Sequence, residues 1–339
     1  MADETVSTES GPFGTPLATP PGGTGVVMPL AGAGVPPGSP TSGSTTGGAV
    51  LGTPGTPGKP GTSGTLPPAG ESAPSKGNWR WWHTLGVVAV IVAMVLFGRL
   101  ASPLNSWLAS VALLILFLLI AGQGTTGLLS GALIDERNKM SLSRLQMVVW
   151  TVLVLSAIVA AAFSNIAAGN SDPLGLGLQP ELWLLMGIST TSLVGSPLIK
   201  STKTGTDGKP AETQATFQLL AKQRGTKLSD LRAKGQIVTN VRPQDASLAD
   251  LFKGEETGNA ASLDLAKVQM LFFTVILALA YAGMLYSLFA HDDRNVGIHT
   301  FPVLSESMLA LLGISHAGYL ANKAVPHSTV APDPAGAMA

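Results

Sequence analysis

The sequence predicts an all-α integral membrane protein with about six transmembrane helices, preceded by a disordered N-terminal tail. Three observations predict this class. Several apolar stretches approach the ~17–25 residues that cross a bilayer, and a short pattern recurs among them. Charged residues make up only 12% of the chain, about half the roughly 25% of an ordinary globular protein. A chain with so few charges is expected to lie largely in lipid.

The first segment, residues 1–78, is a tail rich in Gly, Pro, Thr and Ser, with Phe13 as its one aromatic residue. Such a composition cannot bury enough apolar surface to offset the entropy lost on ordering, so we expect this tail to be disordered. Its acidic start, with no apolar stretch behind it, predicts no cleavable signal peptide. The absence of cysteine from the sequence excludes disulfides and thiolate chemistry.

Three helical hairpins are predicted after the tail, over residues 79–142, 143–199 and 265–325. A long cytoplasmic connection, residues 200–264, separates the second hairpin from the third, and a short tail, residues 326–339, follows the last. The predicted spans are 83–100, 104–125, 145–166, 180–199, 267–289 and 302–322. The apolar face of the second span would allow a helix that runs on as far as Ile134.

A repeated pattern relates the hairpins. Arg144-Leu145-Gln146-Met147 opens the third span and Lys267-Val268-Gln269-Met270 opens the fifth. The returning spans share Gly-Ile-Ser, at residues 187–189 and 313–315. This self-similarity predicts that the second and third hairpins are parallel copies of one unit. The first hairpin is predicted to be a third, less regular copy.

Lys and Arg set the predicted orientation. They are scarce in the loops after the first, third and fifth spans and frequent in the other loops and in the tails. By the positive-inside rule, the N-terminus and the C-terminus are predicted to be cytoplasmic. Trp79, Trp81 and Trp82 surround Arg80 where the tail meets the first helix, a pattern typical of an interfacial anchor.

The connection over residues 200–264 carries most of the charge. It is predicted to contain a helix at 211–224, a short helix at 228–234, a strand at 236–241 and another short helix at 247–253. Its size is near the lower limit for an independent core, so it forms either a small cap on the membrane domain or a loop that orders on a partner. Its basic residues either contact anionic headgroups or only satisfy the positive-inside bias.

Polar side chains inside the predicted spans are candidates for helix packing or for a polar pathway. An amide in hydrocarbon needs a partner, so we favour hydrogen bonds between helices. His316 is the one ionisable side chain predicted deep in the membrane, which makes it a candidate for a proton or ion role. The candidate set is Gln146, Thr151, Ser189, Thr190, Gln269, Thr274, Ser315 and His316.

Four glycines are predicted to let helices approach closely. Gly127 and Gly131 form a small-xxx-small pattern, and Gly187 and Gly313 begin the two Gly-Ile-Ser tripeptides. Small residues at such positions allow close contact between backbones in a membrane.

No enzyme signature is present in the sequence. It contains no His-Glu-x-x-His, no P-loop, no Gly-x-Ser-x-Gly and no potassium-filter sequence. We therefore predict no enzymatic activity, no cofactor and no metal ion, and we expect no nucleic acid as a partner.

Two stretches resemble a pattern found in uncharacterised bacterial membrane proteins. They are residues 131–147, which include Asp135-Glu136-Arg137, and residues 250–259 with the second Gln-Met behind them. The resemblance covers about residues 120–325. It implies a protein of the bacterial plasma (inner) membrane with paired hairpins, and it implies no activity.

The predicted function is that of a non-enzymatic membrane anchor or scaffold. Its N-terminal arm and its 200–264 loop would recruit a cytoplasmic partner or large assembly, for which a contractile injection apparatus is a speculative candidate. The alternative is an oligomeric channel or transporter with a Ser/Thr-lined pathway in the second, fourth and sixth spans. Expected partners are the lipid bilayer and a cytoplasmic protein, and the hairpins are predicted to form an oligomeric or pseudo-symmetric bundle, which includes further copies of the chain as a candidate partner. The scarcity of charge in the spans favours the scaffold.

Overall fold

The computed structural model describes residues 79–291 and 296–330, so the predicted tail at 1–78 and most of the C-terminal tail lie outside it. The described chain is mostly helical. Its α-helices are α1 (Trp81–Leu100), α2 (Pro103–Thr126), α3 (Leu142–Ala167), α4 (Pro180–Thr202), α5 (Pro210–Arg224), α6 (Leu265–His291) and α7 (Glu306–Ala324).

Five of these helices, α1 to α4 and α6, are long and apolar enough to cross a membrane. They indicate an integral membrane protein, as the sequence predicts. Helix α7 occupies the predicted sixth span and has 19 residues, but it is not among the five, so the sixth crossing stays a prediction. The relation of the hairpins as parallel copies also stays a prediction.

The predicted continuation of the second span to Ile134 is wrong, because α2 ends at Thr126. Gly127 follows with φ 76°, and its N–H donates to the carbonyl of Gln123. This left-handed cap ends a helix at little cost when the residue lacks a Cβ. A short 3₁₀ helix, Leu129–Leu133, then leads to α3.

Side chains from α2, α3, α4, α6 and α7 form the main apolar core. Trp150 of α3, Leu185 of α4, Leu285 of α6 and Leu312 of α7 are all at most 1% exposed. In lipid, such packing holds helices together through van der Waals contact rather than through exclusion of water.

Two loops meet at the end of the bundle where α3 and α6 finish. Gly177 and Thr300 pair in a parallel bridge. Asn165 closes the same corner, because its Nδ2 donates to the carbonyl of Ile298 at 2.8 Å and its Oδ1 accepts the N–H of Ile298 at 2.7 Å. The two hairpins α3–α4 and α6–α7 are thus tied together at this end.

Residues 203–264 fold into a small unit at the opposite end, which we call the cap. It contains α5 and two antiparallel strands, β1 (Leu231–Lys234) and β2 (Ile237–Asn240). Leu220, Leu231, Val238 and Ala260 form its buried apolar centre. This connection therefore has a small apolar centre of its own.

The cap differs from its predicted secondary structure at two places. The helix predicted over 228–234 is wrong, since only Leu228–Asp230 forms a 3₁₀ turn before β1 begins. Gly235 turns the chain at φ 59°, which lets β1 pair with β2. The helix predicted over 247–253 is a shorter 3₁₀ helix, Leu248–Leu251.

The segment that follows α7, residues 325–330, lies along the cap. The N–H of Lys209 donates to the carbonyl of Thr329 at 3.0 Å, and the N–H of Thr329 donates to Glu212 at 3.0 Å. Ser328 accepts hydrogen bonds from the hydroxyl of Thr257 at 3.0 Å and from the N–H of Gly258 at 3.1 Å. The cap is therefore completed by residues that come after the last helix.

Candidate functional site

A cluster of hydrogen-bonded polar side chains lies among α3, α4, α6 and α7. The Nε2 of Gln146 donates to the hydroxyl of Thr274 at 2.6 Å and lies 3.2 Å from Nε2 of His316. The hydroxyl of Ser192 lies 2.6 Å from Nδ1 of His316. All four residues are buried, at no more than 3% exposure. We call these residues the His316 cluster.

The hydrogen bonds of the cluster are satisfied by a neutral imidazole. In this orientation of the Gln146 amide, Nε2 of His316 accepts a hydrogen bond, so Nδ1 carries the proton and donates to Ser192. The tautomer is assigned from the hydrogen-bond network. Thr274 completes the arrangement by donating to the carbonyl of Met270 at 2.8 Å.

Three buried polar atoms at the level of the cluster have no hydrogen-bond partner within the described residues. They are Oε1 of Gln146, Oγ of Ser189 and Oγ of Ser315. A buried polar atom without a partner costs free energy and often marks a place for water or an ion. The cluster thus has unused capacity for hydrogen bonds.

Polar residues continue from the cluster toward the cap along α4 and α7. One turn from the cluster, the hydroxyl of Ser196 lies 3.4 Å from that of Tyr319. The ammonium group of Lys323 donates to both hydroxyls at 2.6 Å. On the other side of His316 the interface is apolar, with Leu185 and Leu312 at no more than 1% exposure. The polar column is therefore connected to the cap end and closed by leucines at the other.

A network of buried ion pairs lies at the base of this column. Glu255 of the cap forms ion pairs with Lys267 at 2.9 Å, with Lys323 at 2.8 Å and with Arg137 at 3.2 Å. Asp135 binds Arg137 at 2.7 Å and Lys200 at 3.2 Å. We call these six residues the Glu255 network.

Two further ion pairs fix the cap to the bundle and to itself. Lys203, which follows α4, binds Glu256 at 2.6 Å and also donates to the carbonyl of Lys323 at 2.6 Å. Arg224 of α5 pairs with Asp250. Because each member is at most 8% exposed in its side chain, solvent screens these pairs little.

The pKa values of the loop residues in the network reflect this environment. Burial alone would raise the pKa of Asp135, but Arg137 and Lys200 outweigh it and lower the pKa to about 2. Burial opposes ionisation of Glu255 as well, yet Arg137, Lys267 and Lys323 hold its pKa well below the usual range. Burial lowers the pKa of Lys139 to about 7. The two carboxylates are thus ionised at neutral pH.

The polar residues predicted from sequence divide into two groups. Gln146 forms hydrogen bonds with both Thr274 and His316, and Ser189 and Ser315 are buried at the same level. Gln269, the repeat equivalent of Gln146, is exposed, and Thr151 is half-buried. Thr190 is exposed and its hydroxyl bonds back to the carbonyl of Met186 at 2.8 Å.

The four glycines predicted to allow close packing differ in how near their neighbours lie. A Cβ on Gly131 would contact Thr126 and would lie 2.6 Å from the carbonyl of Gly122. Gly127 is instead the left-handed end of α2, and a Cβ on Gly187 would meet nothing within 4 Å. A Cβ on Gly313 would lie 3.6 Å from Ile188, an ordinary contact.

The three tryptophans at the start of α1 differ in their surroundings. Trp81 is 73% exposed. Trp82 stacks on His83 with 3.5 Å between ring centroids, and Nε1 of Trp79 donates to Thr84 at 3.0 Å. Trp79 also lies against Gly124 of α2, so it packs on the protein as well as facing outward.

Sequence reasoning missed several residues of the column and network. Ser192, Ser196 and Lys200 recur at four-residue intervals, which places them on one face of α4. This four-residue spacing could have identified the polar face of α4 from the sequence. Glu255 offered none, since it lies outside any helix or strand and Arg137 and Lys323 are distant in sequence.

Comparisons with known proteins give no further assignment. No family model, no curated protein and no solved structure matches this chain. Its function is therefore inferred from the residues above and their contacts.

Proposed function

We propose that this protein is a non-enzymatic membrane scaffold whose cap is a fixed platform for a cytoplasmic protein partner. One observation carries the proposal: Glu255 of the cap pairs with cations from three separate elements. These are Arg137 before α3, Lys267 in α6 and Lys323 in α7. A segment that served only to connect α4 to α6 would not require ion pairs with three separate elements.

The energetics of these pairs explain why the cap would keep one orientation. Lifting the cap would remove Glu255 from Lys267 and Lys323 and would leave Arg137 with Asp135 alone. Removing one partner of a buried ion pair typically costs ~3–5 kcal/mol. A platform held in this way would pass force from a bound partner to the helices in the membrane.

Exposed apolar side chains on the cap supply a surface for such a partner. Leu219 of α5 is 52% exposed and Leu248 is 64% exposed. A cavity of about 470 Å³ lies on the cap, and the residues that line it include Phe252 and Leu263. Exposed apolar patches commonly mark protein interaction sites, and we propose that these side chains contribute to one. The N-terminal tail, by its composition, would provide a second, flexible contact on the same side of the membrane.

Affinity purification from the native membrane in mild detergent tests this proposal. Four versions are compared: the full-length chain, a chain lacking residues 1–75, Leu219→Asp and Gln218→Asp. Gln218→Asp is the matched control, because it adds the same charge to the same helix at an exposed polar position. Soluble proteins that co-purify with the full chain and the control, and are lost with Leu219→Asp or without the tail, would establish a scaffold. The same homo-oligomer from all four versions, with no other protein, would refute it.

The His316 cluster favours a second candidate function, movement of a small solute or proton through a pathway between α4 and α7. The support is the polar column from His316 to Lys323 together with the unpartnered hydroxyls of Ser189 and Ser315. The leucines beyond the cluster would then have to separate during transport.

Flux into proteoliposomes tests the second candidate. Ser189→Ala, Ser315→Ala and His316→Gln should each lower the flux, because they alter the buried cluster. Thr190→Ala is the matched control, since Thr190 is exposed and bonded to its own helix. Flux equal to that of empty vesicles would exclude this function.

A further inference from the structure

A cavity between α3 and α4 lies beside the Glu255 network at the cap end of the bundle. Its volume is about 440 Å³. Arg144, Lys200, Asp135 and Glu136 contribute charged side chains to its wall. Ser196 of the polar column and Asp135 and Lys200 of the Glu255 network also line this cavity, but neither the proposed scaffold nor the proposed pathway assigns it a ligand.

The chemistry of the wall changes with depth. Arg144 lies near the start of α3 and Lys200 near the end of α4, so both are at the cap end. Met147 lies three residues deeper along α3, and Leu193 lies seven residues deeper along α4. The cavity wall is therefore charged near the membrane surface and apolar deeper in the membrane. This order matches a phospholipid of the same leaflet, whose charged headgroup lies at the surface and whose acyl chains lie inside.

The charged side chains on the cavity wall balance, since Asp135 and Glu136 oppose Arg144 and Lys200, and the positive excess comes from the network behind the wall. The Glu255 network contains four cations and two carboxylates, an excess of two. Glu136 and Arg144 at the cavity add one charge of each sign and leave that excess unchanged. Among the described residues, Nη1 of Arg137 is a buried donor with no hydrogen-bond partner.

The carboxylate of Asp135 is already saturated with donors. Its Oδ1 accepts the N–H groups of Arg137 and Lys139, at 3.0 and 3.4 Å, and its Oδ2 accepts from Arg137 and Lys200. Glu136 is different, because 60% of its side chain is exposed and it lies 3.7 Å from Lys200. The positive charge that remains unbalanced at the cavity is therefore carried by Arg144 and by the cations that pair with Asp135.

We propose that this cavity binds one anionic phospholipid of the cap-side leaflet, with its phosphate at Arg144 and Lys200 and an acyl chain along Met147 and Leu193. Basic pockets between transmembrane helices recognise anionic headgroups in this way. The proposal shares Lys200 with the Glu255 network and Ser196 with the polar column, but it requires neither a protein partner nor transport.

Native mass spectrometry of the full-length protein in mild detergent tests the site. Dioleoylphosphatidylglycerol is titrated in parallel with dioleoylphosphatidylcholine, and the dissociation constant of the first bound lipid is measured. We expect the anionic lipid to bind about tenfold more tightly. Arg144→Gln should weaken it about fivefold, the effect of one basic residue near a membrane surface.

Two matched variants separate a built site from general attraction. Arg80→Gln removes an exposed cation at the start of α1, away from the cavity, and should leave the dissociation constant unchanged. Glu136→Gln removes the exposed carboxylate at the cavity wall and should strengthen binding. All variants are first shown to elute and melt as the natural chain does.

Several results would overturn the proposal. Equal weakening by Arg144→Gln and Arg80→Gln would mean that only diffuse surface charge attracts the lipid. Equal affinity for the two lipids would remove the role of the phosphate charge. Displacement of the lipid by inorganic phosphate at the same concentration would assign the cavity to a soluble anion instead.

Discussion

Gln146 of α3 donates a 2.6 Å hydrogen bond to Thr274 of α6, although the two residues occupy different positions of the repeated pattern. Their repeat equivalents, Gln269 and Thr151, form no such pair: Gln269 is exposed and Thr151 is half-buried. The two sequence copies therefore contribute unequally, with one supplying the amide and the other the hydroxyl. Because Gln146 is bonded and Gln269 is not bonded within the described part of the chain, substituting each of them in turn gives a matched comparison.

Gln146→Ala should destabilise the bundle, whereas Gln269→Ala should not. Removing the Gln146 amide leaves His316 without one of its partners, and hydrogen bonds between membrane helices are worth ~1 kcal/mol. Gln269 is exposed, so its loss should change the free energy of unfolding by less than ~0.5 kcal/mol. Unfolding in mixed micelles of increasing SDS fraction measures both values. Equal effects would mean that the cluster contributes nothing specific.

Glu255→Gln should loosen the cap. The change leaves Arg137, Lys267 and Lys323 with no carboxylate at the network centre, and breaking a buried pair costs ~3–5 kcal/mol. Arg242→Gln is the control, since the Arg242 side chain is 60% exposed and its pairs with Asp230 and Asp245 are on the surface. Exposed pairs contribute ~0–1 kcal/mol.

Hydrogen exchange of the cap measures this difference. Amides of β2 and of residues 255–260 should exchange faster in Glu255→Gln and at the natural rate in Arg242→Gln. Unchanged protection in Glu255→Gln would show that apolar contacts alone hold the cap in place.

The stability of the folded protein should fall as pH drops below about 4. The folded pKa of Asp135 is about 2, below its ordinary value of 3.8, and that of Glu255 is lowered as well. A carboxyl group with a lowered folded pKa stabilises the fold above its unfolded pKa and loses this contribution as pH approaches the folded value. The loss should therefore occur between about pH 4 and pH 2.

Melting temperatures in detergent from pH 7 to pH 2.5 test this dependence. Asp135→Asn should lower stability at pH 7 and reduce the slope below pH 4. Asp207→Asn, at an exposed position with no ion pair in the described chain, should keep the slope of the natural protein. A slope that is the same in all three would place the acid sensitivity elsewhere.

Gly98→Ala should weaken the packing of α1 on α3, whereas Gly187→Ala should be tolerated. A Cβ on Gly98 would overlap the ring of Phe163, while a Cβ on Gly187 would meet nothing within 4 Å. Overpacking typically costs ~1–3 kcal/mol, and alanine favours a helix over glycine by up to ~1 kcal/mol. The unfolding assay used for Gln146 measures both variants. A stable Gly98→Ala protein would show that Phe163 moves aside at little cost.

The helices were predictable because their signals are local. Pro210 begins α5 and Gly225 ends it at φ 65°, and both residues are ordinary helix boundaries. Strand β1 gave no comparable signal, since Leu231 is its one buried residue and the alternation of a half-buried strand is missing. Its existence depends on pairing with β2, which a single segment does not reveal.

The candidate site was predictable in part. The repeated pattern pointed to Gln146 and Thr274, and His316 was selected as the one ionisable side chain predicted deep in the membrane, whereas Thr190 at the matching position of the other copy is exposed. The actual partner, Ser192, is 124 residues away in sequence. The positive-inside bias explained Lys200 and Lys323 without any ion pair, so the Glu255 network was not anticipated.

The position of residues 325–330 has a consequence for how the protein is made. The cap is synthesised before α6 and α7, yet it lacks Lys323, Ser328 and Thr329 until the chain has been made past those helices. Chains emerge from the ribosome N-terminus first. Until then the cap lacks the hydrogen bonds and the ion pair that these residues supply. The fully folded cap is therefore a sign that the last helix has been made.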